Sequence, residues 1–150
     1  MAMRLAGMQR RGRWLLAFAA AALLAGAIAP AAATPAAAVT TLLERALPEL
    51  AGKEVLVLTV EYPPGSSSLP HRHDAEVFVY VLSGQVVMQL AGRQPLTLRA
   101  GETFYEGPAD VHVRSANASA RVPAKLLVFM VKDIGRPVSR PAPASQESPR

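Results

Sequence analysis

The sequence contains no cysteine. A disulfide framework and a lipid anchor attached to a cysteine are therefore both excluded. With 150 residues, the chain can build one modest hydrophobic core, and this core has to be stable without covalent cross-links. A closed barrel, a bound metal or a dimer would supply the stability that disulfides give to other small domains.

Acidic residues are absent from the first 33 residues, where Arg4, Arg10, Arg11 and Arg13 lie. The whole chain has 16 Lys and Arg against 11 Asp and Glu, so the remainder is close to neutral. A nucleic-acid-binding protein needs a basic patch that persists in the working molecule, because neutralisation of phosphates supplies most of the affinity. The charge distribution therefore argues against a nucleic-acid partner.

No hydrophobic run is long enough for a typical membrane-spanning helix. The longest, residues 14–29, has about 16 residues, whereas a spanning helix needs about 20. It follows the arginines and precedes a stretch of small residues, which is the organisation of a secretory signal. The pattern predicts a signal peptide over residues 1–38 with cleavage after Ala33 or Ala38, no stable membrane anchor, and export to the periplasm or the cell exterior. Both the general and the twin-arginine routes stay open.

Apolar periods of helical length are absent after residue 54. Short β-branched runs alternate instead with Gly and Pro breaks. The runs cover residues 55–62, 77–82, 85–90, 96–98, 103–106, 111–114 and 126–132. Strands at this spacing predict an all-β fold, a single small barrel or sandwich over residues 54–133. The step from Ser83 to Gly84 joins two of these strands directly, as a tight hairpin would.

The segments on either side of the predicted barrel carry weaker signals. Residues 39–53 are expected to form an N-terminal arm, either a short helical turn limited by Pro48 or an extended segment. The tail, residues 134–150, is rich in proline and has almost no apolar content. It is therefore predicted to be disordered.

Histidine is scarce, with three residues in the whole chain. His71 and His73 are two positions apart, which on a strand places both imidazoles on the same face. His112 follows later, in another strand-like run. Three neutral imidazoles that converge inside a barrel suit Fe(II), Mn, Ni, Zn or Cu. Spacing alone leaves open whether the three are metal ligands or ordinary surface and core histidines.

The residues around these histidines resemble the cupin superfamily. Residues 65–84 are similar to the first cupin motif, which has Gly, five residues, His-x-His, a strand and a closing Gly. Residues 101–112, followed by Asn117, are similar to the second motif, although Gly107 and Ala109 stand where the family has Pro and Gly. The resemblance covers about residues 54–132 and implies a double-stranded β-helix (jelly-roll) barrel. It also implies that the three histidines, His71, His73 and His112, are metal ligands.

One departure from the family pattern concerns a fourth ligand. The family has Glu at the position held by Val77, and Glu76 lies beside it. Strand parity places Val77 inside with the histidines and Glu76 outside, which favours a three-histidine site. Glu76 is a ligand only if a bulge shifts the register. Glu106 and Asp110 are candidate partners that orient a histidine, although surface exposure is the commoner fate of such carboxylates.

The resemblance implies a reaction class as well as a site. Some members of the wider superfamily with three histidine ligands are non-haem iron dioxygenases. We therefore expect an exported cupin that binds a divalent transition metal; if it is an enzyme, the resemblance implies a metal-dependent dioxygenase-type oxidoreductase that acts on a small organic substrate, with iron as the metal. A non-catalytic module that binds a metal or a small ligand is the alternative. A third function, that of a sugar isomerase or epimerase, would need a dedicated acid/base pair, and the sequence shows none.

The strand that follows the first motif has a second apolar face. Phe78, Tyr80 and Leu82 alternate with the inward set, so this outer face is expected to be covered by a second subunit, giving a homodimer, or by the N-terminal arm. Tyr80 and Tyr105 are also candidate proton donors or substrate contacts, although parity places Tyr80 on the outer face.

Overall fold

The computed structural model describes residues 36–142, which form eleven β-strands and no helix. The strands are β1 (Ala38–Ala46), β2 (Lys53–Tyr62), β3 (Ser67–Ser68), β4 (His71–Arg72), β5 (Ala75–Ser83), β6 (Gln85–Leu90), β7 (Leu96–Arg99), β8 (Thr103–Glu106), β9 (Val111–Asn117), β10 (Ala124–Asp133) and β11 (Arg140–Pro141). Across these described residues, no helix of a length and apolarity suited to crossing a membrane is found.

The strands are arranged in two antiparallel sheets. One has the order β1-β2-β10-β5-β8, and the other has the order β11-β4-β9-β6-β7 with β3 paired to β9. The inner faces of both sheets supply the core. Its most deeply buried hydrophobic side chains are Leu58, Val77, Val81, Val86, Met88, Leu90 and Met130. The all-β fold predicted from the sequence is confirmed, and the seven predicted strands correspond to β2 and to β5 through β10.

Strand β5 shows why the alternating pattern specifies the fold. Val77, Val79 and Val81 are buried, whereas Phe78 and Tyr80 point outward and are exposed. A shift of one residue would exchange the two faces, so the valines fix the register. The parity expected for Val77 is therefore the one observed.

The step from Ser83 to Gly84 is not a hairpin. Strand β5 pairs with β10 and β8, whereas β6 pairs with β7 and β9, so the step carries the chain from one sheet to the other. Gly84 has a φ of 73°, and a Cβ atom here would lie 2.5 Å from the carbonyl oxygen of Pro123. A glycine between two apolar strands is found both in a hairpin and at a sharp corner between two sheets. The local sequence is therefore the same in both cases and does not distinguish them.

The N-terminal arm adopts the extended alternative. Strand β1 pairs with β2 along its length, at the edge of the first sheet. Residues 1–35 of the predicted signal peptide lie outside the described part of the chain. Cleavage after Ala33 would leave β1 whole, whereas cleavage after Ala38 would remove its first residue.

The prediction of a disordered tail does not hold for residues 134–142. Strand β11 pairs with β4, the Arg140 guanidinium forms an ion pair with Asp74, and the Ala142 amide donates to the Pro70 carbonyl at 3.2 Å. The prediction rested on apolar content, but this segment is held mainly by backbone hydrogen bonds and an ion pair. Residues 143–150 lie outside the described part.

The outer face of β5 is exposed, as its parity predicted. Phe78, Tyr80 and Leu82 are between 43% and 48% exposed. Strand β1 lies at the opposite edge of the sheet, beyond β2 and β10, so the alternative in which the N-terminal arm covers this face is wrong. Coverage by a second subunit stays a prediction.

A buried ion pair joins the ends of β2 and β10. Lys132 donates to the Glu54 carboxylate and, at 2.8 Å, to the carbonyl of Arg136. The hydrogen bond from Lys132 lowers the pKa of Glu54, against an opposing effect of burial. This pair therefore anchors the start of the C-terminal segment to the barrel.

The stability of the protein should fall as the pH drops through the acid range. The lowered pKa of Glu54 means that its contribution is complete above the ordinary carboxyl pKa and is lost as the pH falls toward the lowered folded value. We expect Glu54→Gln to give a shallower loss of urea stability between about pH 5 and pH 3 than the wild type. Equal slopes for the two proteins would contradict this role.

Candidate metal centre

The fold brings the three predicted ligands together. His71 in β4 pairs directly with His112 in β9, and His73 follows β4 by one residue. The ring centroids of His71 and His73 are 5.0 Å apart, and those of His71 and His112 are 5.1 Å apart. The cluster forms because the short strand β4 places the first motif against the second.

Backbone carbonyls determine which nitrogen of two rings carries the proton. His71 Nδ1 lies 2.7 Å from the Leu69 carbonyl oxygen, and His73 Nδ1 lies 2.5 Å from the Val138 carbonyl oxygen. A carbonyl accepts but does not donate, so each Nδ1 carries a hydrogen, and in the neutral tautomer with this hydrogen the free lone pair is on Nε2. This is how metal-binding histidines are commonly held. The C-terminal segment thus contributes to the site through Val138.

His112 is the unusual member of the cluster. The side chain is 2% exposed, yet neither ring nitrogen makes a hydrogen bond within the protein. Its ring stacks on Phe104, with centroids 5.9 Å apart. Buried polar atoms normally have a partner, and a metal ion is a partner that suits an imidazole nitrogen.

The cluster is not yet a closed coordination sphere. Within residues 36–142, no three His, Asp or Glu side chains already form a group that could hold a metal ion. Binding therefore requires the side chains to move closer together, and His112 is the ring with no hydrogen bond to break.

A carboxylate also lies in the cluster. Glu106, at the end of β8, is 3% exposed. Its Oε2 atom is 3.2 Å from His112 Nδ1, outside hydrogen-bond geometry, and 3.9 Å from His73 Nε2. The sequence had marked Glu106 as a candidate partner of a histidine but had favoured an exposed position, and the structure buries it.

Burial and mutual contact set the protonation states in the cluster. Burial alone would raise the pKa of Glu106, but the contact with His112 and the nearby His73 and His71 outweigh it and lower the pKa. Burial is the main reason why the pKa of His71 is lowered, against the hydrogen bond from its ring to Leu69. These directions favour an ionised Glu106 and a neutral His71, which are the forms of a carboxylate and an imidazole that bind a metal.

The histidines line a cavity of about 500 Å³. Most of its other walls are apolar, with Leu58, Val60, Met88, Leu126, Val128 and Met130 among the lining residues. The cavity also contains a polar group that the sequence analysis missed. The Tyr62 hydroxyl lies 2.8 Å from that of Ser68 and 2.6 Å from that of Ser115. Its parity with Leu58 on β2 was the signal available, because it places Tyr62 on the inner face.

The remaining predicted site residues lie elsewhere. Glu76 is on the outer face, where its carboxylate accepts a hydrogen bond from the Tyr105 hydroxyl. Tyr80 and Tyr105 are both exposed on that face and line a separate groove, so neither contacts a substrate in the histidine cavity. Asp110 accepts a hydrogen bond from the Gly107 amide at 2.8 Å and stabilises a turn instead of a histidine.

Comparison with known proteins shows which family has a similar sequence and fold. The sequence model of the cupin domain matches residues 58–130. A cupin superfamily protein from Desulfitobacterium hafniense DCB-2 is similar in structure, with a TM-score of 0.53 and 14% identity over 65% of this chain and 78% of that one. A search of curated proteins gives no significant match.

Two enzymes of known activity are also similar in structure. A DMSP lyase from Ruegeria pomeroyi DSS-3 has a TM-score of 0.53 and 20% identity, over 63% of this chain and 45% of that one. A recombinant oxalate oxidase in complex with glycolate has a TM-score of 0.50 and 25% identity, over 63% of this chain and 50% of that one. The chain thus spans half or less of each enzyme. The two antiparallel sheets, the motifs and these matches agree that residues 58–130 form a cupin domain.

Proposed function

We propose that this chain is an exported cupin that binds one divalent metal through His71, His73 and His112. With iron bound, it would act as a dioxygenase-type oxidoreductase on a small organic substrate. The observation that carries the proposal is the convergence of the three rings at one apolar cavity, with both nitrogens of the buried His112 lacking a hydrogen bond within the protein.

The chain's own groups prepare the site in three ways. The carbonyls of Leu69 and Val138 hold the Nδ1 protons of two histidines and leave their Nε2 atoms available. The apolar walls exclude water and strengthen any electrostatic interaction inside. The Tyr62 hydroxyl offers a hydrogen bond to a polar substituent of a bound molecule. A bound metal would supply Lewis-acid chemistry and a template for substrate and oxygen.

The structural neighbours are compatible with more than one reaction. One is named an oxalate oxidase and another a DMSP lyase, so an oxidase and a lyase are both built on this fold. The identities overlap, at 23% and 25% for the oxalate oxidase structures and at 20% and 23% for the DMSP lyase structures. We therefore base the proposal of oxidation on the three-histidine ligand set and not on these identities.

The alternative is a non-catalytic module that holds a metal or a small ligand. The composition of the cavity favours this alternative. Among the described residues that line it, Glu106 is the only carboxylate, and the three histidines are the candidate metal ligands. Few groups are therefore available to move protons during a reaction. A binding module needs the metal and the apolar walls but no proton transfer.

Oxygen consumption by the iron-loaded protein separates the two functions. We expect uptake of oxygen, matched by loss of substrate, with at least one compound from a panel of small diketones, thiols and phenols that fit the cavity. The His112→Ala variant should show neither uptake nor substrate loss. Iron binding without oxygen uptake across the panel would contradict the dioxygenase and leave the binding module.

A further inference from the structure

We infer that Glu106 is a fourth protein ligand of this metal, supplied by β8 and not by β5. The inference rests on the proposed three-histidine site and extends it. The carboxylate would then come from β8, the strand that pairs with β5 at Val77. Val77 is the position at which the cupin family has Glu and this sequence does not.

The sheet register brings Glu106 to the inner face. Strands β5 and β8 are antiparallel, and Val77 pairs directly with Glu106. Directly opposed residues of two antiparallel strands point to the same face, with Cβ atoms about 5 Å apart. Val77 is buried on the cavity side. The Glu106 side chain therefore enters the region that a longer side chain at position 77 would occupy.

The distance between Glu106 and His112 is that of two ligands that share one ion. Two donor atoms that are each about 2.1 Å from a metal lie about 3.0 Å apart at a right angle and about 3.4 Å apart at a tetrahedral angle. Glu106 Oε2 is 3.2 Å from His112 Nδ1 and 3.9 Å from His73 Nε2. The first distance lies within that range and the second exceeds it, so Glu106 and His112 are already at ligand spacing and the His73 ring has to move closer.

The carboxylate also lacks another source of positive charge. Among the described residues, the ion-pair contacts of Glu106 are with His73 and His112 alone, and no Lys or Arg approaches it. Isolating a buried carboxylate from water without a cation is costly. A divalent metal between Glu106 and the histidines would supply that charge and would partner the unpaired nitrogens of His112.

This ligand would change the chemistry of the site. A carboxylate reduces the formal charge of the metal centre by one unit and occupies a position that a three-histidine site would leave open. An anionic oxygen donor also favours Fe(II) or Mn(II) over Cu(I), which prefers softer ligands. The site would then hold a substrate through fewer metal contacts than three histidines allow.

Co(II) binding to Glu106→Gln tests the assignment without any need for activity. Gln keeps an acceptor oxygen that can position His112 but removes the anionic ligand. We expect at least tenfold weaker Co(II) binding and, at saturating Co(II), a visible absorption spectrum that differs from that of the wild type. Glu76→Gln, on the outer face, is the matched control and should bind as the wild type does. A saturated Glu106→Gln spectrum identical to that of the wild type would overturn the inference.

A second pair of variants moves the carboxylate between the strands. Glu106→Val should bind Co(II) weakly, and adding Val77→Glu to it should recover most of the lost affinity. A folded double variant that binds as weakly as Glu106→Val would also overturn the inference. If the wild type itself binds no Co(II), the three-histidine site fails as well, whereas normal wild-type binding with an unaffected Glu106→Gln rejects Glu106 alone.

Discussion

Replacing His73 with alanine is expected to abolish stoichiometric metal binding and leave a folded barrel. His73 offers its Nε2 atom to the site while its Nδ1 atom is held by the Val138 carbonyl. Its loss removes one of the three imidazoles and one contact between the barrel and the C-terminal segment. The rings of His71 and His112 and the Glu106 carboxylate remain, but without the His73 imidazole they should hold a divalent ion too weakly for one metal per chain to survive purification.

The loss should be visible in thermal stability as well as in metal content. A ligand that binds only the folded state stabilises it, by about 2.7 kcal/mol at a hundred times its Kd. Added Fe(II) or Zn(II) should therefore raise the Tm of the wild type and of a Tyr80→Ala control, but not that of His73→Ala. An unchanged metal content in His73→Ala would contradict the site assignment.

Replacing Gly84 with alanine is expected to be the most damaging conservative change in the barrel. Its positive φ of 73° disfavours any side chain, and the new Cβ atom would lie 2.5 Å from the Pro123 oxygen and 2.7 Å from the Ala124 Cα. Both are backbone atoms of the chain entering β10, so neither can move aside easily. We expect a loss of about 3 kcal/mol or more in the free energy of unfolding.

Gly92 provides the matched control for this prediction. It has the same φ of 73°, but nothing lies within 4 Å of a Cβ atom built on it. Gly92→Ala should therefore cost about 1 kcal/mol, the cost of the backbone conformation alone. Urea unfolding of the two variants measures the difference. Equal losses would show that the approach of Pro123 to Gly84 does not limit the fold.

The strands and the histidine cluster could be predicted from the sequence because their signals are local. Alternation along β5 places Val77 inside and Glu76 outside whatever the neighbouring strand is. The spacing of His71 and His73 and the cupin-like motifs likewise fix the candidate ligands within short stretches. The structure brings them together with His112 as that pattern implied.

The features that were missed depend on contacts between distant segments. Glu106 is buried because β8 pairs with β5 in one particular register, and the adjacent aromatics Phe104 and Tyr105 leave the inner face of β8 ambiguous in the sequence. The C-terminal segment is ordered through the ion pair of Arg140 with Asp74. Neither partner is identifiable before the fold is known.

The metal content of the mature protein tests the central claim most directly. The protein should be purified without a His-tag from the compartment to which it is exported, and its metals measured by elemental analysis. The account predicts about one divalent transition metal per chain, with iron expected for the dioxygenase. A protein that carries no metal, and takes up none when Fe(II), Mn(II) or Zn(II) is added, would contradict it.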